Sequence, residues 1–224
     1  MSTTQPANAI AALKHAAAAR ALDYVKDGMT LGLGSGSTAE VFLDLLAARV
    51  RAGLKIVGTP TSERTSDKAE ALGIPLKDLD SLAPLDLVVD GALLREKIVA
   101  ASAKRMVVIA DDSKLVTQLG TYPLPVEVVA FGHVTTASRI EATAAALGYT
   151  MTPVLRIRDR RRYRTDNKNC IYDCAFGAIA DVAGLAAALS SIPGVVEHGL
   201  FVGLASVLVI AGIGGVRVIE HDAR

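Results

Sequence analysis

Short apolar runs that end in glycine, threonine or aspartate, each leading into a segment with apolar residues at helical spacing, recur through the first half of the chain. No other feature constrains the fold as strongly. Residues 29–33 run into Gly32-Leu33-Gly34-Ser35-Gly36-Ser37-Thr38, and Val41, Leu45 and Ala48 then mark a helix. Residues 55–59 precede a helical pattern over 63–72, residues 85–90 precede one over 92–103, and 106–110 is a further apolar run. Strands that alternate with helices are joined by right-handed crossovers and lie parallel. The spacing therefore predicts an α/β fold with a doubly wound, mostly parallel sheet. Composition agrees: 51% of residues are hydrophobic but only 4% aromatic, as suits parallel strands covered on both faces by alanine-rich helices.

A first helix is expected over 5–24, where Ile10, Leu13, Ala17 and Ala21 repeat at helical spacing. Ser37-Thr38-Ala39-Glu40 has the form of a capping box. After Pro123-Leu124-Pro125 the rhythm changes to strand 126–129, helix 135–147, strand 151–157, a basic turn, strand 170–174 and helix 181–189. This reads as a second, smaller α+β domain. Strand signals at 207–210 and 216–219 flank glycines and could rejoin the first sheet. The expected domains are thus 1–130 plus 204–224, Rossmann-like, and 131–203.

The net charge of +1 gives no field that would draw nucleic acid or an anionic membrane, so neither is expected as a partner. Cys170 and Cys174 lack the further ligands of a zinc site, and buried reduced thiols are expected with no metal. The first residues lack the basic start and apolar core of a secretion signal, and no run of apolar residues is long enough to span a bilayer. A cytoplasmic protein is expected.

The glycine turn is the strongest chemical signal, because amides and hydroxyls at a helix start bind anions. A purely structural tight turn is the competing reading. No lysine precedes Ser37, which excludes a Walker loop, and a dinucleotide fingerprint would need glycine at Ser37 and an acid after the second strand. Thr61-Ser62-Glu63-Arg64-Thr65 stands at the same sheet edge, as binding residues or as a helix cap. Asp90 ends an apolar strand, again as a site carboxylate or a cap. Arg95-Glu96-Lys97 has the look of a solvated helix face. Lys114 could complete an anion site or lie in an exposed loop. The six arginines of residues 156–164 read as a solvated hairpin, and His198 as a hydrogen-bonded structural histidine.

Together, Gly32 to Thr38, Pro60-Thr61-Ser62-Glu63, Asp90-Gly91, Ala92-Leu93-Leu94-Arg95-Glu96-Lys97, Ile109 to Lys114, Leu124 to Val128, Thr165-Asp166-Asn167 and Val196 to Phe201 resemble ribose-5-phosphate isomerase A. They occur in that family's order through nearly the whole chain. The resemblance implies interconversion of ribose 5-phosphate and ribulose 5-phosphate through an enediolate, without cofactor, by a homodimer in the pentose phosphate pathway. It implies that Ser35, Gly36, Ser37, Thr38, Gly91 and Lys114 bind the sugar phosphate, that Glu96 carries the proton and that Asp90 sits near the sugar oxygens. A carboxylate base works best when its surroundings bring its pKa toward neutrality, and an adjacent acid contributes to that.

One departure stands out. After Asp-Gly the family continues with a second aspartate, a variable stretch and a Lys-Gly-Gly-Gly run, whereas Gly91 here leads directly to Ala92-Leu93. Roughly fifteen residues are missing relative to that pattern, although a direct strand-to-helix turn is permissible. The loss implies impaired catalysis, and a non-catalytic sugar-phosphate binder on the same scaffold is the alternative expectation.

Overall fold

The computed structural model describes residues 7–89 and 93–221. In chain order it contains α1 (Ala7–Ala21), β1 (Thr30–Leu33), α2 (Ser37–Arg51), β2 (Val57–Pro60), α3 (Glu63–Ala71), the short α4 (Leu79–Leu82), β3 (Leu87–Val89), α5 (Leu94–Ala101) and β4 (Met106–Asp111). There follow β5 (Leu124–Val128), α6 (His133–Ala146), β6 (Val154–Leu155), β7 (Ile157–Arg158), β8 (Arg161–Arg162), β9 (Cys170–Cys174), α7 (Val182–Ser190), β10 (Val195–His198), β11 (Val207–Gly212) and β12 (Gly215–Glu220). The chain divides into two compact units, Met1–Leu115 with Gly203–Arg224, and Val116–Val202.

The first unit holds a six-stranded sheet in the order β12-β11-β4-β3-β1-β2. All its pairings are parallel except the β11–β12 hairpin. Alternate residues face opposite sides of a strand, and both sides here are apolar. Leu31, Leu33, Leu87, Val89, Val107 and Val209 pack into one core with Ala17 and Ala21 of α1 and Phe42, Leu43 and Leu46 of α2. The opposite face is covered by α5. A Cβ on Gly32 would lie 2.5 Å from Val99 Cγ1 and 2.6 Å from Val88 Cγ2, so this strand position admits only glycine if α5 is to sit close. Helices on both faces make the sheet doubly wound, as the alternating pattern required.

The second unit is α+β. Its sheet runs β10-β5-β9-β6 with antiparallel pairing, and Val126, Val128, Ile140, Leu185 and Leu189 share a core with both cysteines. Burial pushes the Cys174 thiol up to about 12, where it carries no thiolate at neutral pH. This unit starts at Val116, earlier than the expected boundary at 131, because β5 pairs with β9 and β10 and not with the six-stranded sheet. The strand β10 went unread in the sequence. Glu127 is buried and accepts from Thr165 Oγ1 at 2.8 Å and Asn169 Nδ2 at 2.9 Å, joining two of the family-like segments. His198 is buried too, with Nε2 3.1 Å from the Ala186 carbonyl and Nδ1 accepting from the Leu200 N–H at 3.3 Å, which is a structural role.

Candidate active site

In the first unit the chain leaves β1 for β2 on one side and later places β3 on the other. Such a reversal opens a crevice beyond the carboxyl ends of the two strands, where ligands of α/β sheets gather. The glycine turn follows β1 directly and is held from both sides. Gly34 N–H donates to the Val89 carbonyl at 3.1 Å, and Thr61 N–H donates to the Leu33 carbonyl at 3.0 Å.

The start of α2 differs from the capping box expected at Ser37. Gly36 is the cap residue, at φ +98°, and no side chain caps the helix. Ser37 is already helical, and Glu40, the expected box partner, instead pairs with Arg64 at 2.6 Å. The first amide satisfied by the helix is Glu40 N–H, on the Gly36 carbonyl at 2.9 Å. The amides of Ser37, Thr38 and Ala39 thus precede any intrahelical acceptor and face outward at the positive end of a fifteen-residue helix. Space beside Gly36 is open for 4 Å around a notional Cβ, so a ligand can approach the backbone closely.

A cation stands at the same place. Lys14 of α1 donates from Nζ to Ser37 Oγ at 2.8 Å. Sequence reading missed it, since the pairing crosses 23 positions and Lys14 otherwise only interrupts an alanine-rich helix. Open amides, the Ser37 hydroxyl, half-buried Thr38 and an ammonium form a site suited to a dianion. Ser35 stands against the β2–α3 turn. Its hydroxyl lies 2.9 Å from Thr61 Oγ1, 3.0 Å from Ser62 Oγ and 3.3 Å from Thr65 Oγ1, and Thr65 Oγ1 also donates to the Gly34 carbonyl at 3.2 Å. Thr61 and Thr65 are buried. This hydroxyl cluster locks the glycine turn to the β2–α3 turn, where Ser62 caps α3 by accepting from Thr65 N–H at 3.2 Å.

Glu96 is not on a solvated face. It is 9% exposed, and its carboxylate accepts from the Leu93 N–H at 3.3 Å. It lies three residues before Val99, which contacts Gly32, so the two share one face of α5. Because α5 runs back along the sheet, Glu96 is one turn nearer the carboxyl edge and the glycine turn. Lys114 ends a 3-10 turn after β4 and is exposed. That turn is fixed by Asp111, whose buried carboxylate accepts from Ser113 N–H at 3.1 Å and from the Ser113 hydroxyl. Asp90 and Gly91 lie outside the described residues, between β3 and α5. Among the described residues no three His, Cys, Asp or Glu side chains gather to hold a metal ion, and no helix is long and apolar enough to cross a membrane.

Comparison with known proteins points one way. Residues 91–215 match the family described as ribose 5-phosphate isomerase A (phosphoriboisomerase A). Ribose-5-phosphate isomerase A of Parvibaculum lavamentivorans is 51% identical, over 92% of this chain and 97% of its own. Among solved structures, ribose 5-phosphate isomerase from Plasmodium falciparum is 34% identical with a TM-score of 0.88, covering 94% of this chain and 99% of its own. A D-ribose-5-phosphate isomerase in complex with phospho-erythronic acid is 30% identical with a TM-score of 0.86, covering 95% of this chain and 99% of its own. The alignment with the Parvibaculum protein runs over 224 residues while taking in 92% of a chain that is itself 224 long. The relative therefore has residues without counterpart here.

Proposed function

Because this chain belongs to the ribose 5-phosphate isomerase A family, we propose that the crevice at the carboxyl edge of β1 and β3 is where it interconverts D-ribose 5-phosphate and D-ribulose 5-phosphate. This aldose–ketose isomerisation is a step of the pentose phosphate pathway. The observation that carries the site is the start of α2, where the open amides of Ser37, Thr38 and Ala39 meet the Lys14 ammonium. The phosphate binds there, with Gly36 allowing close approach and Lys114 supplying a second cation. Ser35 contributes by holding the turn in shape.

Glu96 is the proton carrier. It takes the proton from C2 of the open-chain aldose and returns it to C1 of the enediolate, while the hydroxyl proton passes from O2 to O1, which gives the ketose. Asp90 and Gly91 adjoin the reacting oxygens in this reading. No metal or organic cofactor is needed for such proton transfer. The near full-length identity to proteins named as this enzyme favours catalysis over mere binding of a sugar phosphate.

The short link sets this chain apart. Val89 ends β3 and Leu94 begins α5, so residues 90–93 alone connect them. A second aspartate and the Lys-Gly-Gly-Gly run of the family have no place in it. Each donor to a developing oxyanion is worth about 3 kcal/mol, so turnover is expected well below that of relatives with the longer connection. Cytoplasmic location and a homodimer complete the reading. The second unit exposes Phe131 at 92% and Val134 at 65%, an apolar surface of the kind that associates.

Incubating the full-length chain with ribose 5-phosphate, with and without a chelator, tests the reading. Slow ketose formation that the chelator leaves unchanged is expected. Calorimetric binding of the sugar phosphate without any ketose would overturn the enzymatic reading.

A further inference from the structure

The isomerase reading leaves the arginine-rich segment of the second unit unused, and the structure gives that segment a definite form. β7 and β8 make a ribbon closed by Asp159 and Arg160, with φ of +51° and +61°. Such a two-residue left-handed turn matches the strand twist and ordinarily takes Asn-Gly. A residue with a side chain is strained there relative to glycine, yet Arg160 occupies it. The register also sets Arg158 directly opposite Arg161, and like charges in that relation destabilise a ribbon. Both features place cations where folding alone would not.

Charge is segregated as well. Residues 156–164 hold six arginines and one carboxylate, Asp159, whereas the remainder of Val116–Val202 has only Arg139 and Lys168 against six carboxylates. The net charge of the whole chain sums over this separation and conceals it. Within the ribbon, three guanidinium groups are committed. Arg156 pairs with Asp173, its Nε 3.0 Å from Oδ2; Arg162 donates to His133 Nε2 at 2.8 Å; Arg164 donates to the Lys168 carbonyl at 2.8 Å. Arg158, Arg160 and Arg161 are exposed and have no carboxylate partner among the described residues. Arg158 rests 5.8 Å from the centre of the Tyr163 ring, which Arg156 also faces at 6.0 Å.

We propose that the ribbon tip, Arg158, Arg160 and Arg161, docks the phosphate backbone of single-stranded nucleic acid. An exposed guanidinium meeting an isolated carboxylate gains little in water, so an acidic protein would profit little from this tip. A polyphosphate chain instead releases condensed counterions at every contact, and the planar fork of arginine fits phosphate and stacks on bases. The stacked Arg158–Tyr163 pair adds a flat surface of the kind on which bases lie. Three contacts make the binding sequence-independent, salt-sensitive and modest.

The test titrates the full-length protein and the triple variant R158Q/R160Q/R161Q against a fluorescein-labelled, mixed-sequence RNA oligonucleotide, reading anisotropy at several salt concentrations. The wild type is expected to bind at low salt. The variant is expected to lose at least tenfold in affinity, and its slope of log K against log salt should shrink by about 2, since a single strand contributes roughly 0.7 per phosphate contact. Both proteins should convert ribose 5-phosphate at the same rate, which shows that the variant is folded. R160G, which relieves the turn, should be at least as stable as the wild type while binding more weakly. Absence of binding at low salt, or equal binding by the triple variant, overturns the proposal. Displacement of RNA by polyglutamate at equal charge concentration also overturns it, in favour of an acidic protein partner.

Discussion

The two ends of the six-stranded sheet spend their polar groups in opposite ways. At the amino edge they satisfy one another. The Asp86 carboxylate accepts from Thr30 N–H at 3.0 Å, Thr30 Oγ1 at 3.2 Å and Lys104 Nζ at 2.7 Å, and Asp27 accepts from Lys55 N–H at 2.7 Å. At the carboxyl edge a hydroxyl cluster fixes the backbone, but the first amides of α2 and the ammonium of Lys14 are turned toward the crevice. Closed polar networks brace a fold, whereas donors held rigidly without an intrahelical acceptor invite a ligand. The carboxyl edge is thus where helix amides lack an intrahelical acceptor, and the proposed site lies there.

The largest effect should come from completing the carboxyl edge. Inserting a connection of the family pattern, with its second aspartate and Lys-Gly-Gly-Gly run, between Gly91 and Ala92 adds a carboxylate and an oxyanion donor. It should raise kcat by roughly 100-fold or more, since one donor is worth about 3 kcal/mol; a steady-state assay reads it. Lys14→Met should weaken sugar-phosphate binding about tenfold or more by removing a charge-assisted hydrogen bond, seen as a raised KM with thermal stability nearly unchanged. The mirror-image result belongs to the amino edge: Asp86→Ala should cost about 1–3 kcal/mol by stranding its donors and leave KM alone. If Lys14→Met unfolded the chain and Asp86→Ala raised KM, the contrast between the edges would be broken.

The smallest effect concerns pH. The hydrogen bond from Lys104, then that from the Thr30 amide, hold the Asp86 carboxyl below the usual carboxylate range. A depressed folded-state pKa means that the stabilisation is fully present above the unfolded-state value near 4 and fades as pH falls through the lower folded-state value. The Tm difference between wild type and Asp86→Asn should therefore be constant above about pH 5 and shrink in more acidic solution.

Much of this was legible in the residues. Short apolar runs ending in turn residues gave the parallel sheet, because burial on both faces leaves a continuous apolar strand. The segment Gly32 to Thr38 marked a glycine turn at a helix start, and α2 begins there. What stayed hidden depended on tertiary pairing. Lys14 reaches Ser37 only because α1 packs beside α2, and nothing local marks it. The cap fell to Gly36 and not Ser37 because glycine can adopt the left-handed backbone that the turn demands. β10 escaped notice because its pairing with β5 shifts register between Val195 and Glu197, which interrupts the alternation that identifies a strand. The boundary at Val116 depends on which sheet β5 joins, and its own five residues do not say.

Glu96→Gln tests the central claim most directly. With ribose 5-phosphate in deuterated water, the wild type should form ketose and exchange hydrogen at the carbons involved. The variant should bind the sugar phosphate with similar affinity while ketose formation and exchange both fall by roughly 100- to 10,000-fold, the usual worth of a positioned base. Ketose formation and exchange at the wild-type rate in the variant would contradict the assignment of Glu96 as the proton carrier.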